Sequence, residues 1–451
     1  MIFQEEGDAI IFAPAKDAAS PCITVLQATG ACIISYLGKS ANSKSFPFFL
    51  FDSMSIREQL YSSAAWEDFL AWRLKKGRFN WREFEAADEF VASGECIRAG
   101  RQIIEKERLD IPARILVNKM GSRKKRVVYC YEDEEVEVLK FIAHLLYRYD
   151  SVLAPNCFSF RKGQTVQSAI LGLRRKLAGR ELWGYKIDIH NYFNSVSIPL
   201  LLPILNDVLS DDGQLYSFFE KMLTNPLVRD GENVIEDDHG IMAGTPTAPF
   251  LANIYLMEMD YHFFNENVIY ARYSDDIILF APDKESLEHH IAELNAFLQK
   301  YRLQPNLDKE RIYAPGEAFD FLGYKCQGNR IGLADATIQK MKGKISRKAR
   351  ALYRWRSLKG KSPEEAMKAL ISFFNRKFFE SEDTDQLNWS RWFFPVINDV
   401  SGLKEIDHYL QQNIRYVATG KHNGANYRLR YGQLRSYGYR SLVSEYYLTQ
   451  V

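Results

Sequence analysis

The feature that most constrains this 451-residue chain is a set of three aspartates placed where apolar strands would have to bury them. Tyr185-Lys-Ile-Asp188-Ile-His is one such segment, and Ala271-Arg-Tyr273-Ser274-Asp275-Asp276-Ile-Ile-Leu-Phe is the other. A buried carboxylate is costly unless something pairs with its charge. A metal ion supplies that partner, and one Asp on a strand can converge on it with a pair at an adjacent hairpin turn. Chemistry on phosphates with two Mg²⁺ ions roughly 3.5–4 Å apart needs such a shared carboxylate set, with positions left open for phosphate oxygens. Taken singly, each segment has a plainer reading. Ser-Asp-Asp suits a solvated turn, and Asp188 suits a helix cap at a strand end.

The surroundings fit a mixed fold. From Ser55 to about Arg108 the pattern is helical, with Trp66, Phe69, Leu70 and Leu74 at three- and four-residue steps. Residues 115–131 read as a basic hairpin around a Gly-Ser turn. A helix follows, with Val136, Leu139, Ile142, Ala143 and Leu146 on one face. The middle third predicts a strand over 184–190, helices over 199–209 and 249–264, and a hairpin over 268–282 turning at Ser274-Asp275-Asp276. A further helix carries Leu287, Ile291, Leu294 and Leu298 in one stripe, and from about 337 the chain reads helical. Such an order gives an antiparallel sheet with helices on one face, an α+β layer.

Six motifs in a fixed order then resemble the bacterial reverse transcriptases, the group that includes group II intron maturases, retron enzymes and defence-associated enzymes. Asp188-Ile-His-Asn-Tyr-Phe193-Asn-Ser-Val is similar to their first palm motif, and Tyr273-Ser-Asp-Asp to their Tyr-x-Asp-Asp box. Gly240-Ile-Met-Ala243-Gly244-Thr-Pro-Thr-Ala-Pro-Phe-Leu-Ala-Asn resembles their Gly-x-Pro-Gln-Gly segment. Ser159-Phe-Arg161-Lys-Gly, Leu303-Gln-Pro-Asn-Leu-Asp-Lys309 and Phe319-Asp-Phe-Leu-Gly-Tyr complete the set, which runs over about 115–330. The resemblance implies an α+β right-hand polymerase with fingers, an antiparallel palm and a helical thumb. The expected division is an N-terminal extension over 1–85, fingers over 86–180, palm over 181–330, and thumb with a helical nucleic-acid-binding region over 331–451. It departs at Met242-Ala243, where the family carries Pro-Gln; Ala243 has no side-chain hydrogen bond to offer near a nascent base pair.

The resemblance also implies roles. Asp188 and Asp275 bind two Mg²⁺ ions, Asp276 supports them, and the backbone carbonyl of Ile189 completes one site. Phe193 lies beneath the incoming sugar, where its ring excludes a 2′-hydroxyl; the alternative is a core ring. Lys119 and Arg126 contact the triphosphate, with a solvated charge run as the alternative. Ala243 and Gly244 line the nucleotide site, Lys309 protonates the leaving pyrophosphate, and Arg161 contacts nucleic acid.

Net charge is only +2, so any binding of nucleic acid depends on where the charge lies. Residues 341–361 contain no acid, and Lys348, Arg350 and Arg354 fall there. After Ile414, Arg428, Arg430 and Arg435 alternate with tyrosines, a pattern that suits phosphate contact plus base stacking. No apolar run nears the ~18 residues that span a bilayer. The six scattered cysteines lack a CxxC pair, which points to a reducing cytoplasm. The expected activity is RNA-directed DNA synthesis from dNTPs, copying a dedicated structured non-coding RNA in anti-phage defence, with a homo-oligomer or a partner protein as a possible assembly. Two alternatives stand beside it: a template-independent or protein-primed DNA polymerase of the same fold, and an inactive RNA-binding scaffold.

Overall fold

The computed structural model describes residues 54–76, 81–105, 109–118, 125–380, 388–421 and 428–450. One of two compact units begins at Ile56. It opens with helices α1 (Ile56–Leu60), α2 (Ser63–Lys75), α3 (Trp81–Ala92) and α4 (Glu95–Glu105). Trp66 of α2, 1% exposed, anchors this layer. Its ring lies 4.3 Å from Phe141, and its Nε1 donates to the Leu60 carbonyl at 2.9 Å. Phe141 belongs to α5 (Asp133–Leu145), so this layer packs on a helix further along the chain.

Strands β1 (Ala113–Asn118) and β2 (Lys125–Cys130) pair antiparallel, Ala113 opposite Cys130 and Asn118 opposite Lys125. The turn between them, with Lys119, lies outside the described residues. After helices α6 (Val166–Leu177), α7 (Tyr192–Ser195), α8 (Ile198–Val208) and α9 (Gly213–Thr224) comes a second hairpin, β4 (Leu227–Asp230) and β5 (Asn233–Glu236). It joins the first through a parallel bridge, Ala113 to Arg229, giving the sheet order β2-β1-β4-β5. Sequence patterning did not anticipate this hairpin, because β5 is exposed along its whole length and carries no alternation.

The palm-like sheet has the order β6-β7-β3-β8, built from β3 (Trp183–Asp188), β6 (Ile269–Tyr273), β7 (Asp276–Ala281) and β8 (Arg311–Tyr313). Every pairing in it is antiparallel. Helix α12 (Lys284–Lys300), capped by Asp283, backs β3 and β7. The helix expected over 249–264 is two, α10 (Ala248–Tyr255) and α11 (Met257–Asn265), parted at Leu256.

Beyond the palm, β9 (Phe319–Phe321), β10 (Tyr324–Gln327) and β11 (Arg330–Leu333) form a small antiparallel sheet. Helices α13 (Asp335–Lys359), α14 (Pro363–Phe379), α15 (Trp389–Phe393), α16 (Ser401–Thr419), α17 (Tyr431–Ser436) and α18 (Leu442–Leu448) pack on it. Ser362 and Glu365 form a capping box at the start of α14. Buried Asp407 of α16 accepts from the Leu442 and Val443 amides, which ties α18 down. The fold is α+β, with an antiparallel palm and a helical C-terminal region, as expected.

Candidate active site

Antiparallel register brings the aspartates together. Asp188, last in β3, lies directly opposite Asp276, first in β7. Residues opposed in this way project from the same face of the sheet. Asp275 precedes β7 in the turn, and its carbonyl accepts the Ile189 amide at 3.0 Å. The turn therefore spans only Ser274 and Asp275, with Asp276 already in the strand. Ser274 has φ +60°, in the left-handed region that a tight turn needs and that few side chains favour.

One carboxylate oxygen from each of the three lies within 4.8 Å of the others. Burial pushes Asp275 above the usual carboxylate range, and the Asp188 charge adds to this. Burial, followed by the neighbouring Asp275, pushes Asp276 up to about 6. An all-oxygen set of crowded carboxylates resisting their own ionisation fits a hard divalent cation. Two groups compensate Asp188 from the far side. Lys309 Nζ lies 2.5 Å from Oδ2, and Asn306 Nδ2 donates to Oδ1 at 3.1 Å. Both residues arrive on the loop after α12, which the Asn306 amide pins by donating to the Asp188 carbonyl at 2.7 Å.

Phe193, half-buried in α7, meets Phe160 edge-on at 6.3 Å. Its carbonyl accepts the Ile241 amide. Gly240 precedes this contact at φ +55°, where an added Cβ would sit 2.5 Å from that same carbonyl oxygen, so no other residue fits. Ala243 is buried, while Gly244 is exposed at φ +111° against the Tyr129 carbonyl. The Ala243 amide donates to Asn194 Oδ1 at 2.9 Å, and its carbonyl accepts from the Tyr129 amide at 2.8 Å. Asn194 Nδ2 in turn donates to the Val127 carbonyl at 3.2 Å. Asn194 thus couples the motif loop to β2, the strand that carries partly buried Arg126, and sequence reading gave it no role.

Behind the turn lies a second feature that the reading missed. Arg272 and Asp260 are both fully buried and paired, with Arg272 Nε donating at 2.8 Å and the Tyr270 hydroxyl at 2.8 Å to the same oxygen. Arg272 Nη2 also reaches the Asn253 carbonyl and Cys157 Sγ. Asn253 binds Ser159, whose Oγ accepts the Ser274 amide at 2.9 Å. A charged residue inside the apolar run of β6 was the available signal that a buried partner must exist.

Other expected residues have contacts of their own. Arg161 donates to the carbonyls of Asp150, Ala154 and Cys157, which closes its own loop. Lys348 stands over the Phe373 ring at 4.2 Å. Arg350 and Arg354 are exposed on α13, and Lys340 and Arg347 extend the same stripe. Arg428, Arg430 and Arg435 are exposed too, whereas Tyr439 among the interleaved tyrosines is buried and donates to Asp407.

Residues 117–326 match the family model of the reverse transcriptase (RNA-dependent DNA polymerase), just under half of the chain. The stretch is a reverse transcriptase domain, the domain of RNA-directed DNA polymerases. Among solved structures the chain is similar to apo telomerase from Candida tropicalis truncated from its C-terminal domain, at 14% identity over 50% of this chain and 55% of that one, with a TM-score of 0.41. It is similar also to telomerase from Candida albicans in complex with a TWJ fragment of telomeric RNA, at 13% identity over 77% and 67%, with a TM-score of 0.39. The chain spans about half the length of the first of these. No curated protein matches it.

Proposed function

We propose that this chain, built around a reverse transcriptase domain, is an RNA-directed DNA polymerase that extends a primer with dNTPs. The convergence of Asp188, Asp275 and Asp276 within the matched segment carries the reading. Two Mg²⁺ ions held by Asp188 and Asp275, with Asp276 in support and the Ile189 carbonyl completing one site, would activate the primer hydroxyl and neutralise phosphate charge. The protein's own groups do the rest. Lys309, already beside Asp188, is positioned to give a proton to the leaving pyrophosphate. Phe193 bounds the sugar and leaves no room for a 2′-hydroxyl. Arg126, with Lys119, meets the triphosphate from the β1–β2 hairpin. The exposed cations of α13 and of residues 428–435 grip the duplex.

The template we infer is a dedicated structured RNA, copied in anti-phage defence in the cytoplasm. Motif resemblance to the group that includes defence-associated enzymes supports this, as do the exposed cations on α13 and on residues 428–435. Ala243 favours one other reading, DNA synthesis without a conventional template or primed on a protein hydroxyl. Its amide and carbonyl are both engaged by protein, and its methyl offers nothing to a template base. A covalent protein–DNA adduct in the reaction products would select that reading.

The deciding experiment replaces Asp188 or Asp275 by Asn and follows primer extension on RNA with Mg²⁺. Activity should fall by orders of magnitude while the melting temperature holds. Retention of more than about a tenth of the rate, a barrier change of only ~1.4 kcal/mol, would show that the chemistry lies elsewhere.

A further inference from the structure

On the solvent side of the helices that back the palm, three imidazoles surround one carboxylate. Glu293, on the third turn of α12, has His289 four residues and His290 three residues before it, both within reach on the same face. His290 offers Nδ1, its near nitrogen, 3.0 Å from Glu293 Oε2. His289 offers Nε2, its far nitrogen, 3.6 Å from Glu293 Oε1. Because one ring presents its near atom and the other its far atom, two neighbouring residues converge despite their separate directions from the helix. His262 of α11 sits 2.9 Å from Glu293 Oε1 and fixes the carboxylate from the other helix.

The spacing discriminates between a hydrogen-bond cluster and a metal site. At 3.6 Å the His289 contact is too long for a good hydrogen bond. Donor atoms around a tetrahedral ion with bonds of ~2.0–2.1 Å lie about 3.3 Å apart. The ligand atoms of His289, His290 and Glu293 fall within 4.8 Å of one another, so small side-chain adjustments close them on one ion.

We propose that His289, His290 and Glu293 bind one late first-row divalent metal ion, Zn²⁺ by preference, with His262 as the group that orients the ligating carboxylate. Two imidazoles and one carboxylate suit zinc and its neighbours, not Mg²⁺ or Ca²⁺, which take oxygen ligands. The hydrogen-bonded partner outside the ligand shell is the usual companion of such a site. The ion is structural. It locks Glu293 onto His262 and so fastens α11 to α12, at the opposite end of their interface from the Glu258–Lys300 pair. Helix α12 is the element that backs β3 and β7, whose ends carry Asp188 and Asp276.

The test titrates Zn²⁺ calorimetrically into the full chain carrying Asp275→Asn, in excess Mg²⁺ so that the palm carboxylates do not compete. The same protein with His289→Ala is measured beside it. His289 is 69% exposed, so its loss leaves the fold intact. One Zn²⁺ per chain should bind, at least tenfold more weakly without His289, and the Zn²⁺-dependent rise in melting temperature should vanish with it. His290→Ala should behave alike. Equal Zn²⁺ affinity with and without His289, or no Zn²⁺ uptake in excess Mg²⁺, would overturn the proposal. Polymerase activity in Mg²⁺ alone plays no part in the outcome.

Discussion

Replacing Asp260 by Asn removes a single charge from the centre of the palm and leaves its shape unchanged. Arg272 then keeps a guanidinium at 0% exposure with no counter-charge. Its remaining bonds are Nη2 contacts to the Asn253 carbonyl at 3.2 Å and Cys157 Sγ at 3.3 Å and an Nη1 contact to the Ser274 carbonyl at 3.4 Å, all to neutral groups. An arginine cannot discharge itself by giving up a proton. The loss is therefore that of an uncompensated buried charge, about 3–5 kcal/mol. In a chain of this size that lowers the melting temperature by roughly 3–5 °C. The mirror substitution, Arg272→Met, should cost less, because Asp260 can take up a proton and keep its bond from the Tyr270 hydroxyl. The double variant Asp260→Asn/Arg272→Met should recover part of the loss. Scanning fluorimetry on the three proteins decides it. A shift under ~1 °C for Asp260→Asn, or a double variant less stable than that single one, would refute the reasoning.

Phe193→Ala should raise rNTP incorporation relative to dNTP at least tenfold, read from the ratio of efficiencies with thermal stability checked alongside; an unchanged ratio makes Phe193 a core ring. Asn194→Ala should raise the dNTP concentration for half-maximal rate and cost about 1–2 kcal/mol in stability, since it strands the Ala243 amide and the Val127 carbonyl. Reversing the charges of Arg347, Arg350 and Arg354 should weaken RNA–DNA duplex binding and flatten its salt dependence by about three counterions. Lys348→Ala, which removes a cation already spent on Phe373, should leave that slope alone. Because Asp276 sits near pH 6 without metal, Mg²⁺ must displace a proton from it below that pH. Mg²⁺ affinity should thus fall as pH drops through 6, and a flat affinity from pH ~5 to ~7, measured calorimetrically, would contradict the assignment.

Much of the palm was legible because its chemistry breaks its own pattern. Asp188, Asp275 and Asp276 interrupt apolar strands, and the register that opposes Asp188 to Asp276 follows once β3 and the β6–β7 hairpin are recognised. Local pattern could not reveal partners far apart in sequence. Arg161 looked like a nucleic-acid contact because nothing near it shows three carbonyls waiting. Asn194 and Asp260 each act across long separations, and β5 exists only because β4 found the edge of β1. Basic composition marked α13 and the tail, yet which cations stay exposed is decided by packing: Arg354 is exposed while Lys348 is half-buried over Phe373.

The apolar core that begins in α6 runs through β6, β7 and the β9–β11 sheet into α13, α14, α16 and α18 without a break. A grip domain joined by a flexible wrist could swing open at little cost, as one hinged panel moves on another. Here the same motion would peel Phe321, Phe374 and Ile414, all fully sheltered, away from their neighbours. Each such side chain exposed costs about 1.5–3 kcal/mol, so the movement is self-limiting. The C-terminal helices and the palm therefore work as a single casting. On the proposed function, a nucleic-acid strand held there would be threaded past a fixed jaw.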